Sequence, residues 1–181
     1  MFNEYVNEKN KKILELENRR KIYELVKEYS GCHFRELERK SNISIGILKY
    51  HLNFLSKHEL IKQEKYGQKI RYFPKYFQSE NTKLLSLLRQ DKVRKIILFL
   101  LINKNPNHED IVKFIQAPPS TVSWHIKKLL QENIISQKKE GRKTRYQLII
   151  DEEEIKKLLI LYKESFLDSL VNRTIEMWEI K

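Results

Sequence analysis

The sequence predicts a mainly α-helical fold with small β-hairpins (α+β). Two tandem copies of one module are flanked by N- and C-terminal helices. Three observations carry this prediction. First, the chain repeats itself: shifted by 74 residues, segment 18–74 lies on segment 92–148 without a gap, and twelve positions are identical. They include Arg20/Arg94, Ile22/Ile96, His51/His125, Leu55/Leu129, Gly67/Gly141, Arg71/Arg145 and Tyr72/Tyr146. Second, each copy holds helical periodicity followed by a short alternating segment broken by glycine. Third, the charge follows the repeat. The net charge is +12. The two copies carry +7 and +8, while residues 1–17 and 149–181 carry −1 and −3.

Each element has a local cause. In the first copy Ile22, Leu25 and Val26 recur at helical spacing, with Asn18 as the expected cap and Gly31 as the terminator. A short helix follows, FRELERK in one copy and HEDIVKFI in the other, the latter capped by Asn107. Tight turns come next, around residues 41–43 and 116–117. The third helix covers 44–58 and 119–133. Its inward stripes are Leu48, His51, Leu52, Leu55 and Val122, His125, Ile126, Leu129. Pro118 stands where Ser44 caps the first copy, so Ser120 is expected to shift the helix start there. The copy closes on a hairpin. Segments 61–66 and 69–73 flank Gly67-Gln68, and segments 135–140 and 143–149 flank Gly141-Arg142, which suits a type II′ turn.

The tails differ from the repeat. Residues 152–179 read as one long helix with a stripe from Ile155 to Trp178, opened by Asp151 and three glutamates that suit a helix N-terminus. Residues 2–17 give a weaker stripe through Phe2, Tyr5, Val6, Ile13, Leu14 and Leu16. Glu24, Lys27 and Glu28 of the first copy become Leu98, Leu101 and Ile102 in the second, an apolar face that must be covered. The helix from Asp151 can cover it within the chain or from a second subunit. The expected division is therefore 1–80, an N-terminal helix and first module; 81–150, the second module; and 151–181, a packing or dimerisation helix.

Three helices followed by a basic hairpin describe a winged helix. His33-Phe34-Arg35-Glu36-Leu37, Lys49-Tyr50-His51-Leu52, Leu60-Ile61 and Ile70-Arg71-Tyr72-Phe73-Pro74 carry a closer likeness. So does the run from Ser120 to Leu129. The chain resembles winged helix-turn-helix transcription regulators of the broad ArsR/MarR type, especially archaeal ones, over about residues 18–148. The resemblance implies that the third helix of each copy enters the DNA major groove. That nominates Ser44, Ile45, Gly46, Lys49, Tyr50 and Asn53, and in the second copy Ser120, Thr121, Ser123, Trp124 and Lys127. The wings offer Lys65, Gln68, Lys69, Arg71, Lys139, Arg142, Lys143 and Arg145 to phosphates or the minor groove. Strand alternation can instead turn Arg71 and Arg145 toward a helix.

Other functions are poorly served. The longest apolar run, residues 96–102, is far short of the roughly 20 residues a membrane helix needs. The N-terminus shows no signal-peptide core. One cysteine, Cys32, cannot form an intrachain disulfide or the paired-cysteine site of metal-sensing ArsR proteins. The five histidines show no ligand spacing, and His51 and His125 read as packing residues. No metal or cofactor is expected, and no catalytic motif is found. The expected partner is double-stranded DNA. Regulators of this type often dimerise through terminal helices, and the transcription machinery is a further candidate partner. The expected location is cytoplasmic and nucleoid-associated. The competing reading is a winged-helix protein-interaction scaffold in a transcription or chromosome complex.

Overall fold

The computed structural model describes residues 8–166 and 169–179. The chain divides into two compact units, Met1–Ser86 and Leu87–Lys181. In the first, α1 (Glu8–Ile13), α2 (Glu17–Glu28), β1 (Cys32–His33), α3 (Phe34–Ser41) and α4 (Ile45–Lys57) precede the hairpin of β2 (Ile61–Tyr66) and β3 (Lys69–Pro74). Helix α5 (Ser79–Leu88) runs through the boundary. In the second unit α6 (Asp91–Ile102), α7 (His108–Ile115) and α8 (Pro119–Gln131) precede β4 (Ile135–Glu140) and β5 (Lys143–Leu148). Three helices close the chain: α9 (Glu152–Leu161), α10 (Lys163–Phe166) and α11 (Ser169–Glu179).

Backbone bends reproduce the duplication more faithfully than the side chains do. Among the described residues, eight have positive φ, and they form four pairs 74 apart: Gly31/Asn105, Asn42/Gln116, Glu59/Asn133 and Gly67/Gly141. Each pair turns the chain at an equivalent point. Asn42 and Gln116 are left-handed C-caps that end α3 and α7, donating to the Glu38 and Val112 carbonyls. Gly67 opens the hairpin at φ 61 while Gln68 stays at negative φ, as a type II′ turn requires. Gly31 is the most constrained: a Cβ there would lie 3.1 Å from the Phe73 ring.

In the first unit the core collects Ile22, Val26, Leu37, Leu48, Leu52, Leu55 and Ile61, all buried. Ile96, Ile111, Val122, Ile126, Leu129 and Ile135 occupy the matching places in the second. The first sheet has the order β1-β3-β2, with Cys32 opposite Tyr72 and His33 opposite Arg71. The second keeps only two strands, plus one bridge between Asn107 and Arg145. Pro106 stands in the place of Cys32, and its carbonyl still accepts the Tyr146 N–H at 3.0 Å.

Several expectations are corrected. Asn18 does not cap α2: the helix starts at Glu17, and Leu16 occupies the cap position with no side-chain bond. Ser44 holds the α4 cap position, but its side chain makes no capping bond. Ser120 does not shift the start of α8, because Pro119 fills the first turn, where a missing N–H costs little. The long C-terminal helix is three helices, because α11 folds back against α9 and α6. Phe2, Tyr5 and Val6 lie outside the described residues; Ile13 is buried and Leu16 exposed. Helix α5 and strand β1 were not anticipated. The apolar substitutions on α6 are covered unevenly: Leu98 is fully buried, Leu101 half-buried and Ile102 43% exposed.

Candidate nucleic-acid interface

Helix α4 is held by one face and offers the other. Leu48, His51, Leu52 and Leu55 are buried, while Ser44, Ile45, Gly46, Lys49, Tyr50 and Asn53 are exposed. The Tyr50 ring is 60% exposed and meets His51 edge-on at 5.1 Å. Helix α8 repeats the arrangement: Trp124 is 60% exposed and meets His125 edge-on at 4.8 Å. Ser120, Ser123 and Lys127 are exposed, and Thr121 is half-buried. The Ser123 hydroxyl lies 2.8 Å from His108 Nε2. The two helices thus hold an aromatic ring in solvent at the same place.

The wing stands beside the helix in the first unit. Between them runs a groove of about 580 Å³, lined by Ile45, Lys49 and Asn53 from α4 and by Gln63, Gln68, Lys69, Ile70 and Tyr72 from the hairpin, with His33, Phe34 and Arg35 at the start of α3. Lys65 and Lys69 are exposed, and neither has an ion pair among the described residues. In the second wing Lys139, Arg142 and Lys143 are exposed, and Lys143 lies 3.9 Å from Glu109.

Arg71 and Arg145 do a different job. Arg71 is only 6% exposed and donates through Nη1 to the Gly31 carbonyl. Arg145 donates through Nη1 to the Asn105 carbonyl at 2.9 Å and through Nε to Glu140 at 2.7 Å. Both reach back 40 residues to the left-handed bend before the second helix. The identical arginines therefore clasp wing to bend in each unit. For Arg71 this replaces the expected phosphate contact. Arg20 and Arg94, also identical, are not equivalent: Arg94 is buried and donates to the Leu88 carbonyl, and in the first unit Arg19 does this, donating to Ile13. Arg20 is exposed.

His33, His51 and His125 are structural. His33 caps α3, its Nδ1 accepting the Glu36 N–H at 3.1 Å, as the Asn107 side chain caps α7. Burial, and then the Lys69 charge, hold His33 below the ordinary imidazole range. Burial also lowers His51, next to Arg19, and His125, next to Lys128 and Lys92. The Nδ1 of both is buried without a hydrogen-bond partner. The Cys32 thiol is buried and in no disulfide. No three His, Cys, Asp or Glu residues gather to hold a metal among the described residues. No described helix is long and apolar enough to cross a membrane.

Sequence reasoning missed the capping role of His33, and it missed Ile47 and Ile70, which are 46% and 47% exposed. Apolar residues in a periodic segment read as core. The signal was their phase: Ile47 is off the buried stripe, and Ile70 stands opposite Lys65 in the hairpin.

Known families match both halves. Residues 16–85 match a family described as an N-terminal HTH domain, and residues 91–137 match the bacterial regulatory protein, arsR family. Two helix-turn-helix family models thus match in tandem along the chain. A curated relative, an uncharacterized HTH-type transcriptional regulator of Methanocaldococcus jannaschii, is 34% identical over 136 residues. The match takes in 75% of this chain, which spans about a third (34%) of that relative's length. The second family is one of regulatory proteins, and the relative is named as a transcriptional regulator. Among solved structures, the DIP2311 protein of Corynebacterium diphtheriae is 12% identical, with 73% of this chain and 26% of that one covered at a TM-score of 0.32.

Proposed function

We propose that the regulator binds specific duplex DNA sequences, with α4 and α8 in major grooves and the wings on phosphates or the minor groove. One observation carries this reading. Each unit exposes an aromatic and small polar or apolar side chains on one helix face, together with solvated wing cations. Phosphate contacts from Lys65, Lys69, Lys139, Arg142 and Lys143 would set the register, and the helix faces would specify the site. Residues 1–80 and 81–150 each supply one reading module. Helix α11 packs on α6 of the second, and residues 151–181 are available to pair two chains. A DNA ligand implies a cytoplasmic, nucleoid-associated protein.

The test is a random duplex pool followed by a salt titration. The expected result is a defined motif, with affinity falling roughly 10³–10⁵-fold between 50 and 200 mM salt for about 6–10 phosphate contacts. Equal binding to all sequences, or a flat salt response, would overturn the proposal. Exposed Ile45 and Trp124 favour a second reading, a protein-docking scaffold in a transcription complex. The solvated wing cations oppose it.

A further inference from the structure

We infer that the first unit reads thymine methyl groups through Ile45 and Ile47, whereas the second reads its half-site through hydroxyls. This rests on the DNA-binding reading above. Ile45 is 49% exposed and Ile47 46%, both in the first turn of α4. The fold needs neither, since Leu48, Leu52 and Leu55 do the packing. Gly46 lies between them, and a Cβ there would meet nothing within 4 Å. Glycine is therefore not demanded by the unit's own packing, although it costs a helix stability. What it does is lower the helix surface between two branched side chains, so that a partner can approach closely.

The chemistry of that partner is narrow. Isoleucine has no donor or acceptor and cannot read a hydrogen-bond pattern. The apolar group that a base edge presents in the major groove is the C5-methyl of thymine. Asn53, exposed two turns further along the same helix, suits the N6/N7 edge of adenine. The face is thus suited to T·A and A·T pairs. Cations flank it: Lys49 shares the groove with Ile45, and Lys69 stands on its wing side. An apolar protein surface would have to bury them, whereas a duplex pairs them with phosphates. In the second unit the same places hold Pro119, Ser120 and Thr121, and Ser123 replaces Lys49. The exposed hydroxyls of Ser120 and Ser123 both donate and accept, and the Thr121 methyl is half-buried, so that face has a weaker preference for thymine.

Deoxyuridine supplies the test, because it removes the methyl and leaves every hydrogen bond of the base pair intact. Binding would be measured on the selected duplex with thymine replaced in one half-site at a time. Affinity should fall about fourfold for each contacted methyl in one half-site, from the burial of one carbon. It should fall less when the other half-site is replaced. The double variant I45S/I47S, whose changes are both exposed, should keep its circular dichroism and its salt slope. It should bind thymine and uracil duplexes alike. Equal binding of both duplexes by the unaltered protein would overturn the inference while leaving DNA binding in place. Failure to bind any duplex above a random pool would instead overturn the reading beneath it.

Discussion

The two units share a frame and differ in what they show to solvent. Left-handed bends, an exposed ring braced by histidine and an arginine clasp recur 74 residues apart. Between those fixed points the exposed face has changed from Ile45, Gly46, Ile47 and Lys49 to Pro119, Ser120, Thr121 and Ser123. The clasp has changed in depth as well. Arg71 is buried, whereas the Arg145 side chain is 39% exposed and shares its charge with Glu140. Equivalent backbone geometry thus coexists with unequal energetic weight. The frame is set by where the chain must bend, and the faces answer to something outside it.

The largest expected contrast lies in the clasp. Arg71→Ala leaves the Gly31 carbonyl without its charged donor, at a cost of about 2–3 kcal/mol. Arg145→Ala removes a solvated interaction worth less than about 1 kcal/mol. Both tryptophans, Trp124 and Trp178, lie in the second unit. In urea, R71A should therefore shift the circular-dichroism transition more than tryptophan fluorescence. An R71A loss no larger than that of R145A would break the contrast.

The wings come next. Lys65→Ala and Lys69→Ala should each reduce the slope of log affinity against log salt by about 0.9, with stability unchanged. Lys143→Ala, already near Glu109, should reduce it less. Gly46→Ala should raise stability by about 0.5–1 kcal/mol, since the space is open and alanine favours helix, yet weaken DNA binding. Denaturation and binding measured on one preparation would separate these effects.

The smallest effect concerns pH. His33, His51 and His125 are all held below the ordinary imidazole value near 6.5. Below about 6.5 the unfolded chain therefore binds more protons than the folded one. Stability should be fully present above that pH and decline as pH falls toward the folded values. His33→Asn copies the cap of the second unit and removes one titrating group. It should keep the fold and flatten part of this decline. An undiminished pH dependence in H33N would assign it to the other two histidines.

Much of the frame was legible because period and repetition report it directly. The hairpins and the third helices came from alternation, a glycine turn and an apolar stripe. The misses share a cause, which is dependence on distant partners. Strand β1 is two residues long and exists only because β3 pairs with it. Alternation alone did not decide the inward turn of Arg71, because both faces of the hairpin carry cations. The break between α9 and α11 depends on packing against α6, which a continuous stripe conceals. On the candidate site, the polar and aromatic members were legible by type. Ile47 and Ile70 were hidden because isoleucine by type reads as core, and only their phase against the buried stripe and the hairpin register sets them apart.

The paired bends have a consequence for how such a protein changes over generations. The turns at Gly31/Asn105, Asn42/Gln116, Glu59/Asn133 and Gly67/Gly141 recur in both copies although the residues exposed on α4 and α8 differ, so the exposed residues of one copy can change without changing those of the other. One half of a target can drift while the other half keeps the protein in place. On the DNA-binding reading proposed above, a duplicated reader can move to new addresses one half-step at a time, never having to abandon the old site before the new one is gained.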